Sequence, residues 1–148
     1  MSLGYTFRET MRGHFRLNGE TRPRALSFTI VARTRSVGLF GARSICDIEG
    51  AVEAEGLTPG AVAKGTLEID PLLGRRLVYT FSFEADDGRT YRFEGQKSVS
   101  FLRLAHSMTT LPAKLYDARG DAVGEALVRF DLRSDFLRWL RTWRVAHV

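Results

Sequence analysis

Apolar and polar side chains alternate with a period of two along most of this chain. That rhythm belongs to strands with one buried face. In the first segment Tyr5, Phe7, Met11, Phe15 and Leu17 share a face, opposite Arg8, Thr10, Arg12, His14 and Arg16. Asn18-Gly19-Glu20 then signals a turn. The second segment aligns Leu26, Phe28, Ile30 and Ala32, and the third aligns Cys46, Ile48, Gly50, Val52 and Ala54. Thr58-Pro59-Gly60 is the expected turn into a fourth segment, with Ala61, Ala63, Gly65, Leu67 and Ile69 inward. The fifth, with Leu77, Tyr79, Phe81 and Phe83 inward, is the clearest strand. Asp86-Asp87-Gly88 follows as a hairpin signal, because Asp-Gly tolerates the positive φ of a tight turn. The sixth segment carries Tyr91, Phe93, Gly95 and Lys97, and the seventh runs near Thr109, Leu111, Ala113 and Leu115. The eighth places Ala122, Gly124, Ala126, Val128, Phe130 and Leu132 inward.

The period changes after Ser134. That residue can cap a helix, and Asp135 suits its positive end. Phe136, Leu137, Leu140 and Trp143 form a helical stripe, with Trp139 at its margin. The expectation is an all-β fold: an antiparallel up-and-down barrel, lipocalin-like, of about eight strands with one short C-terminal helix. Closure would remove the exposed edges of a long meander. A barrel of this strand number is either filled by side chains or holds one small ligand.

The length, 148 residues, suits a single domain over 1–148, and no linker interrupts it. Met1-Ser2-Leu3 can be a cloning scar and is set aside. No run is apolar enough for a helical membrane span. The net charge is +5, and all basic residues but Lys64, Lys97 and Lys114 are Arg. Acidic residues are interleaved with them and no nucleic-acid module is present, so no nucleic-acid partner is expected. Cys46 is the only cysteine and reads as a buried structural thiol. Without a secretory signal in the sequence, the cytoplasm is the default location.

Two residues break the inward apolar pattern, Glu9 and Lys97. A buried charge must be paired or shifted in pKa. Both can point into the barrel, near each other or near the polar head of a ligand. A bulge turning each outward, or an ion pair fixing strand order, is the structural alternative. Inward aromatics, among them Tyr79, Phe81, Tyr91 and Phe93, stand among inward glycines at 13, 50, 65, 95 and 124. They can interlock as core, or leave an apolar cavity of ligand size. His14, His106 and His147 lack metal-ligand spacing, and no dinucleotide, phosphate-loop or nucleophile-elbow motif occurs. No cofactor, metal or catalytic residue is assigned.

Several ordered motifs carry a resemblance. They are Phe7-x-Glu9-x-Met11-x-Gly13, Asp87-Gly88-Arg89-Thr90-Tyr91-Arg92-Phe93-x-Gly95-x-Lys97, Thr109-Thr110-Leu111, and Asp135-Phe136-Leu137 leading to Arg144-Val145. From about Tyr5 to Val148 the chain resembles an accessory domain joined to bacterial cholesterol-oxidase-like flavoproteins of the glucose–methanol–choline class and found beside lipase-like hydrolases. The resemblance implies an auxiliary unit near lipid or sterol chemistry, not the oxidase activity.

Three roles are therefore open. The first is a non-enzymatic barrel that binds a small apolar or amphipathic molecule through Glu9, Lys97, Tyr79, Phe81, Tyr91 and Phe93. The second is a solid-core module that docks to a partner enzyme or to itself as a homo-oligomer. The third is an acid/base enzyme using Glu9 or Lys97 on a lipid-like substrate.

Overall fold

A computed structural model describes residues 3–36, 44–70, 76–98, 110–129 and 144–147, with backbone alone at 3–5, 35–36, 44, 97–98 and 144–147. Its strands are β1 (Leu3–Leu17), β2 (Arg24–Ser36), β3 (Ser44–Ala54), β4 (Thr58–Asp70), β5 (Arg76–Glu84), β6 (Thr90–Ser98), β7 (Thr110–Tyr116), β8 (Ala122–Arg129) and β9 (Arg144–His147). Each of the first eight pairs antiparallel with the next, and β8 returns to β1, so these eight close into a barrel. Followed once around, the registers return displaced by about ten residues, which with eight strands tilts them roughly 40° from the barrel axis.

β9 was not expected. It pairs with β1 over Leu3–Thr6, while β8 occupies the same edge of β1 farther along, over Arg12–Leu17. Four residues with no clear alternation give too little pattern to read as a strand. The expected C-terminal helix, with Phe136 to Trp143, falls outside the described residues, and so do Leu39, Phe40, His106, Phe130 and Leu132.

The alternation is borne out along most of the described strands. Phe7, Met11, Phe15, Phe28, Ile30, Ile48, Val52, Leu67, Phe81, Phe83, Phe93, Leu115 and Val128 are buried in one core. Two details differ. The β3–β4 turn lies at 55–57, not at Thr58-Pro59-Gly60. Gly56 takes the left-handed corner at φ 79°, and Leu57 N–H donates to Ala54 O at 2.9 Å. Thr58 is already in the ladder, opposite Ala54. Ala122 is exposed because a register shift separates the Leu115–Gly124 and Tyr116–Ala122 pairs.

The two ends of the barrel are built differently. At one end the strands are joined by short turns, each with a positive-φ glycine: Gly19, Gly56, Gly88 and Gly120. The β5–β6 and β7–β8 turns share one geometry, closed by Ala85 N–H to Arg89 O at 2.8 Å and Asp117 N–H to Asp121 O at 3.0 Å. The other rim carries the strand ends Ser36, Ser44, Asp70, Arg76, Ser98, Thr110 and Arg129.

Candidate functional site

Glu9 lies on β1 between Phe7 and Met11, two inward apolar positions, and alternation turns its carboxyl the same way. It is buried, with 7% of its surface exposed. β1 and β5 are separated by three strands in either direction around the closed sheet, so they face each other across the barrel. Tyr79 on β5 is inward by the same alternation and 2% exposed. Its hydroxyl crosses the interior and donates to Glu9 Oε1 at 2.5 Å. A buried tyrosine ring can pack as a hydrophobe, but its hydroxyl needs a partner, and Glu9 supplies one.

The chemistry of the pair follows from its setting. Burial, the charge of the Glu9 carboxylate and the hydrogen bond to it push the Tyr79 hydroxyl well above the usual tyrosine range, and Cys46 adds to this. Tyr79 therefore stays a neutral donor at ordinary pH. Two more buried groups join the region. Thr34 and Cys46 are register partners on β2 and β3, Cys46 pairs with Leu67, and Leu67 pairs with Tyr79. Just past Thr34 the β2–β3 register slips by one residue, a bulge that interrupts regular pairing toward the rim. None of Glu9, Thr34, Cys46 or Tyr79 is without further partners.

The expected site residues divide by level. Glu9 and Tyr79 are brought together. The backbone of Lys97 pairs with Leu77, one inward position rimward of the Tyr79–Gly95 pair, and its side chain lies outside the described residues. Phe81 and Phe93 lie on the other side of that level and stack at 4.6 Å between ring centroids. Phe28 meets both, at 5.0 Å and 5.3 Å. Tyr91 is farther still, beside the tight turns, where it stacks on Phe83 at 5.8 Å and floors a hollow of about 630 Å³ with Leu17 and Val123. Phe81, Phe93 and Tyr91 thus lie beneath the polar pair, between it and the tight turns.

The inward glycines belong to that packing. A Cβ on Gly65 would stand 1.8 Å from Thr80 O and 2.6 Å from the Phe81 Cα. One on Gly95 would stand 2.9 Å from the Leu111 Cγ. These positions admit close approach of a neighbouring strand or side chain, with no room for a Cβ.

Cys46 is buried, as its alternation suggested. Thr34 was not singled out from the sequence, because a lone threonine in a strand is unremarkable there. The Tyr79 partnership carried one signal: an inward tyrosine must satisfy its hydroxyl. Among the described residues no three His, Cys, Asp or Glu gather as metal ligands, and no helix is long and apolar enough to cross a membrane. The chain matches no family profile, no curated protein and no solved structure.

Proposed function

We propose that this barrel binds a small amphipathic, lipid-like molecule without transforming it, in the manner of a lipocalin-like carrier and as an accessory to a lipid-metabolising enzyme. The observation that carries the reading is the hydrogen bond from Tyr79 to Glu9 across the interior, with both groups buried above an aromatic floor. A buried carboxylate costs desolvation energy that apolar side chains of similar volume would avoid. Its retention fits a group that orients a polar head. Tyr79 as donor and Glu9 as acceptor offer both halves of a hydrogen-bonding site, with Lys97 on the rimward side by register. The apolar tail would lie toward the rim opposite the tight turns.

Native mass spectrometry of the purified protein, followed by solvent extraction, tests the reading. A co-purifying apolar mass is expected. The fluorescent fatty acid cis-parinaric acid should bind the wild type, and Tyr79→Phe, which removes the hydroxyl its carboxylate would accept from, should weaken it roughly tenfold, the equivalent of one hydrogen bond. An empty protein, together with no parinarate binding, would overturn the proposal.

A second reading has its own support. The mutual contacts of Phe28, Phe81 and Phe93 fill the barrel at their level, which favours a solid-core module that docks to an enzyme or to itself. On that reading no lipid co-purifies and Glu9–Tyr79 serves only to set register.

A further inference from the structure

The outer surface of the barrel is polarised. Three register rows cross β7, β8, β1 and β2: Thr110–Arg129–Arg12–Ser27, Pro112–Leu127–His14–Ala25, and Lys114–Glu125–Arg16. The residues alternating with them, such as Met11, Phe15 and Val128, are buried, so the side chains of these rows point outward. Glu125 is the only acid in the three rows. Arg12 and Arg129 stand directly opposite each other, an arrangement that by itself costs a sheet stability. Arg12 also holds an interaction within the chain, whereas Arg16, Lys114 and Arg129 form no ion pair with another described residue. Other walls match their charges more closely, as in Arg22–Glu55 at 2.7 Å, Arg92–Glu94 at 2.9 Å and Lys64–Glu49 at 3.9 Å. β3 has the opposite sign: its outward row Asp47, Glu49, Ala51 and Glu53 is exposed throughout.

The basic wall also carries an apolar tip. Val62 and Leu127 are the large exposed hydrophobic residues among those described. Leu127 is in the middle row, with Arg12 and Arg129 in the row on one side and Arg16 in the row on the other. Val62 is on β4, four strands from β8 in either direction, and so on the opposite wall.

We propose that the outer wall of β7, β8 and β1 docks the barrel on an anionic phospholipid surface. The planar guanidinium groups of Arg12, Arg16 and Arg129 meet lipid phosphates, and Leu127 enters the headgroup layer between them. The acidic row of β3, three strands round from β8, is then turned away from the bilayer, so the charge asymmetry also sets the orientation. An acidic protein partner fits less well. The centre of a protein interface is rich in aromatic side chains, and the three rows contain no Phe, Tyr or Trp. The docking does not depend on a guest in the interior: a chain that fails to bind parinarate would leave it standing.

The test is co-sedimentation of the whole chain with phosphatidylcholine vesicles made with and without phosphatidylglycerol. Binding is expected only to the anionic vesicles, and it should fall steeply as salt is raised. Arg16→Gln combined with Arg129→Gln should weaken it roughly twentyfold, the loss of two cations at a charged membrane, with the thermal unfolding of the barrel little changed. An environment-sensitive dye on Leu127→Cys should shift to the blue on the anionic vesicles. The same dye on Val62→Cys should not, and the native Cys46 is buried away from the label. Equal binding to both kinds of vesicle, or to neither, would overturn the proposal. So would full binding by the double variant, or a dye at position 62 that shifts as much as one at 127. Tighter binding to poly-glutamate than to the vesicles at equal charge would overturn it in favour of an acidic protein partner.

Discussion

Tyr79→Phe isolates the central interaction with little else disturbed. The ring keeps its place in the core, and only the oxygen that donates to Glu9 is lost. A hydrogen bond to a charged group contributes about 1.5–3 kcal/mol, and losing the donor removes that from a carboxylate that is itself buried. Glu9 keeps further partners, which places the expected loss near the middle of the range, about 2 kcal/mol. In urea, with a slope of about 1–3 kcal/mol per molar, the midpoint should fall by roughly 1 M. The pH dependence sharpens the test. Burial and the Glu9 charge raise the Tyr79 pKa in the folded chain above its unfolded value. Its stabilising contribution is then complete below about pH 10, the unfolded value, and is lost as pH rises through the folded one. Wild type should therefore lose stability on the alkaline side, while Tyr79→Phe lacks that loss, and the gap between them should narrow above about pH 10. A double-mutant cycle with Glu9→Gln should return a coupling above about 1 kcal/mol. A variant within about 0.5 kcal/mol of wild type, with the same alkaline limb, would refute the assignment of this bond as the anchor of the interior.

Two further predictions concern the frame around it. Gly65→Ala forces a Cβ to within 1.8 Å of Thr80 O, so thermal unfolding should show a loss of about 3 kcal/mol or more, whereas Gly60→Ala, with nothing within 4 Å, should cost under about 1 kcal/mol. Glu20 accepts from the Arg24 guanidinium and from Leu17 N–H, which hold its carboxyl below the usual value; its contribution is present above about pH 4.5 and lost as pH falls through the lower folded value. Arg24→Gln should raise the Glu20 pKa in a carboxyl-resolved NMR titration, and an unmoved value would show that the pair is not formed in solution.

How far the chain could be read depends on the range of each signal. Strand alternation is local, so Leu77, Tyr79, Phe81 and Phe83 declare their inward face within eight residues, and all of these that are fully packed lie in the core. Hairpin signals are local too, and Asp87-Gly88 sits at the turn it announced. Thr58-Pro59-Gly60 misled because two turn-prone segments compete within six residues, and Gly56 takes the positive φ that decides the corner. Ala122 misled for a related reason: a single-residue slip inverts a face, and no composition marks where the slip falls. What could not be read is distance across the barrel. Which inward residues meet depends on strand count and stagger together, and these emerge only when every register is known. Glu9 was visible as an anomaly, and its partner Tyr79 was visible only as one inward aromatic among many.

The arrangement of the interior follows from the contrast between its ends. Where the turns are tight, glycine corners hold neighbouring strands in register, and aromatic rings fill the space down to Phe83 and Tyr91. Toward the other rim the regularities loosen together: the β2–β3 ladder slips past Thr34, the β6–β7 ladder stops at Gly95, and β8 gives way to β9 along β1. The buried polar groups Glu9, Thr34, Cys46 and Tyr79 sit between the packed half and this loosened one. Stability alone would extend the aromatic plug and the ladders to the rim, since each added rung and ring contributes. Under the binding function proposed above, a guest's head would meet the polar pair at this boundary, and loss of the Tyr79 hydroxyl should then alter binding more than any change in Phe81 or Phe93 that preserves volume.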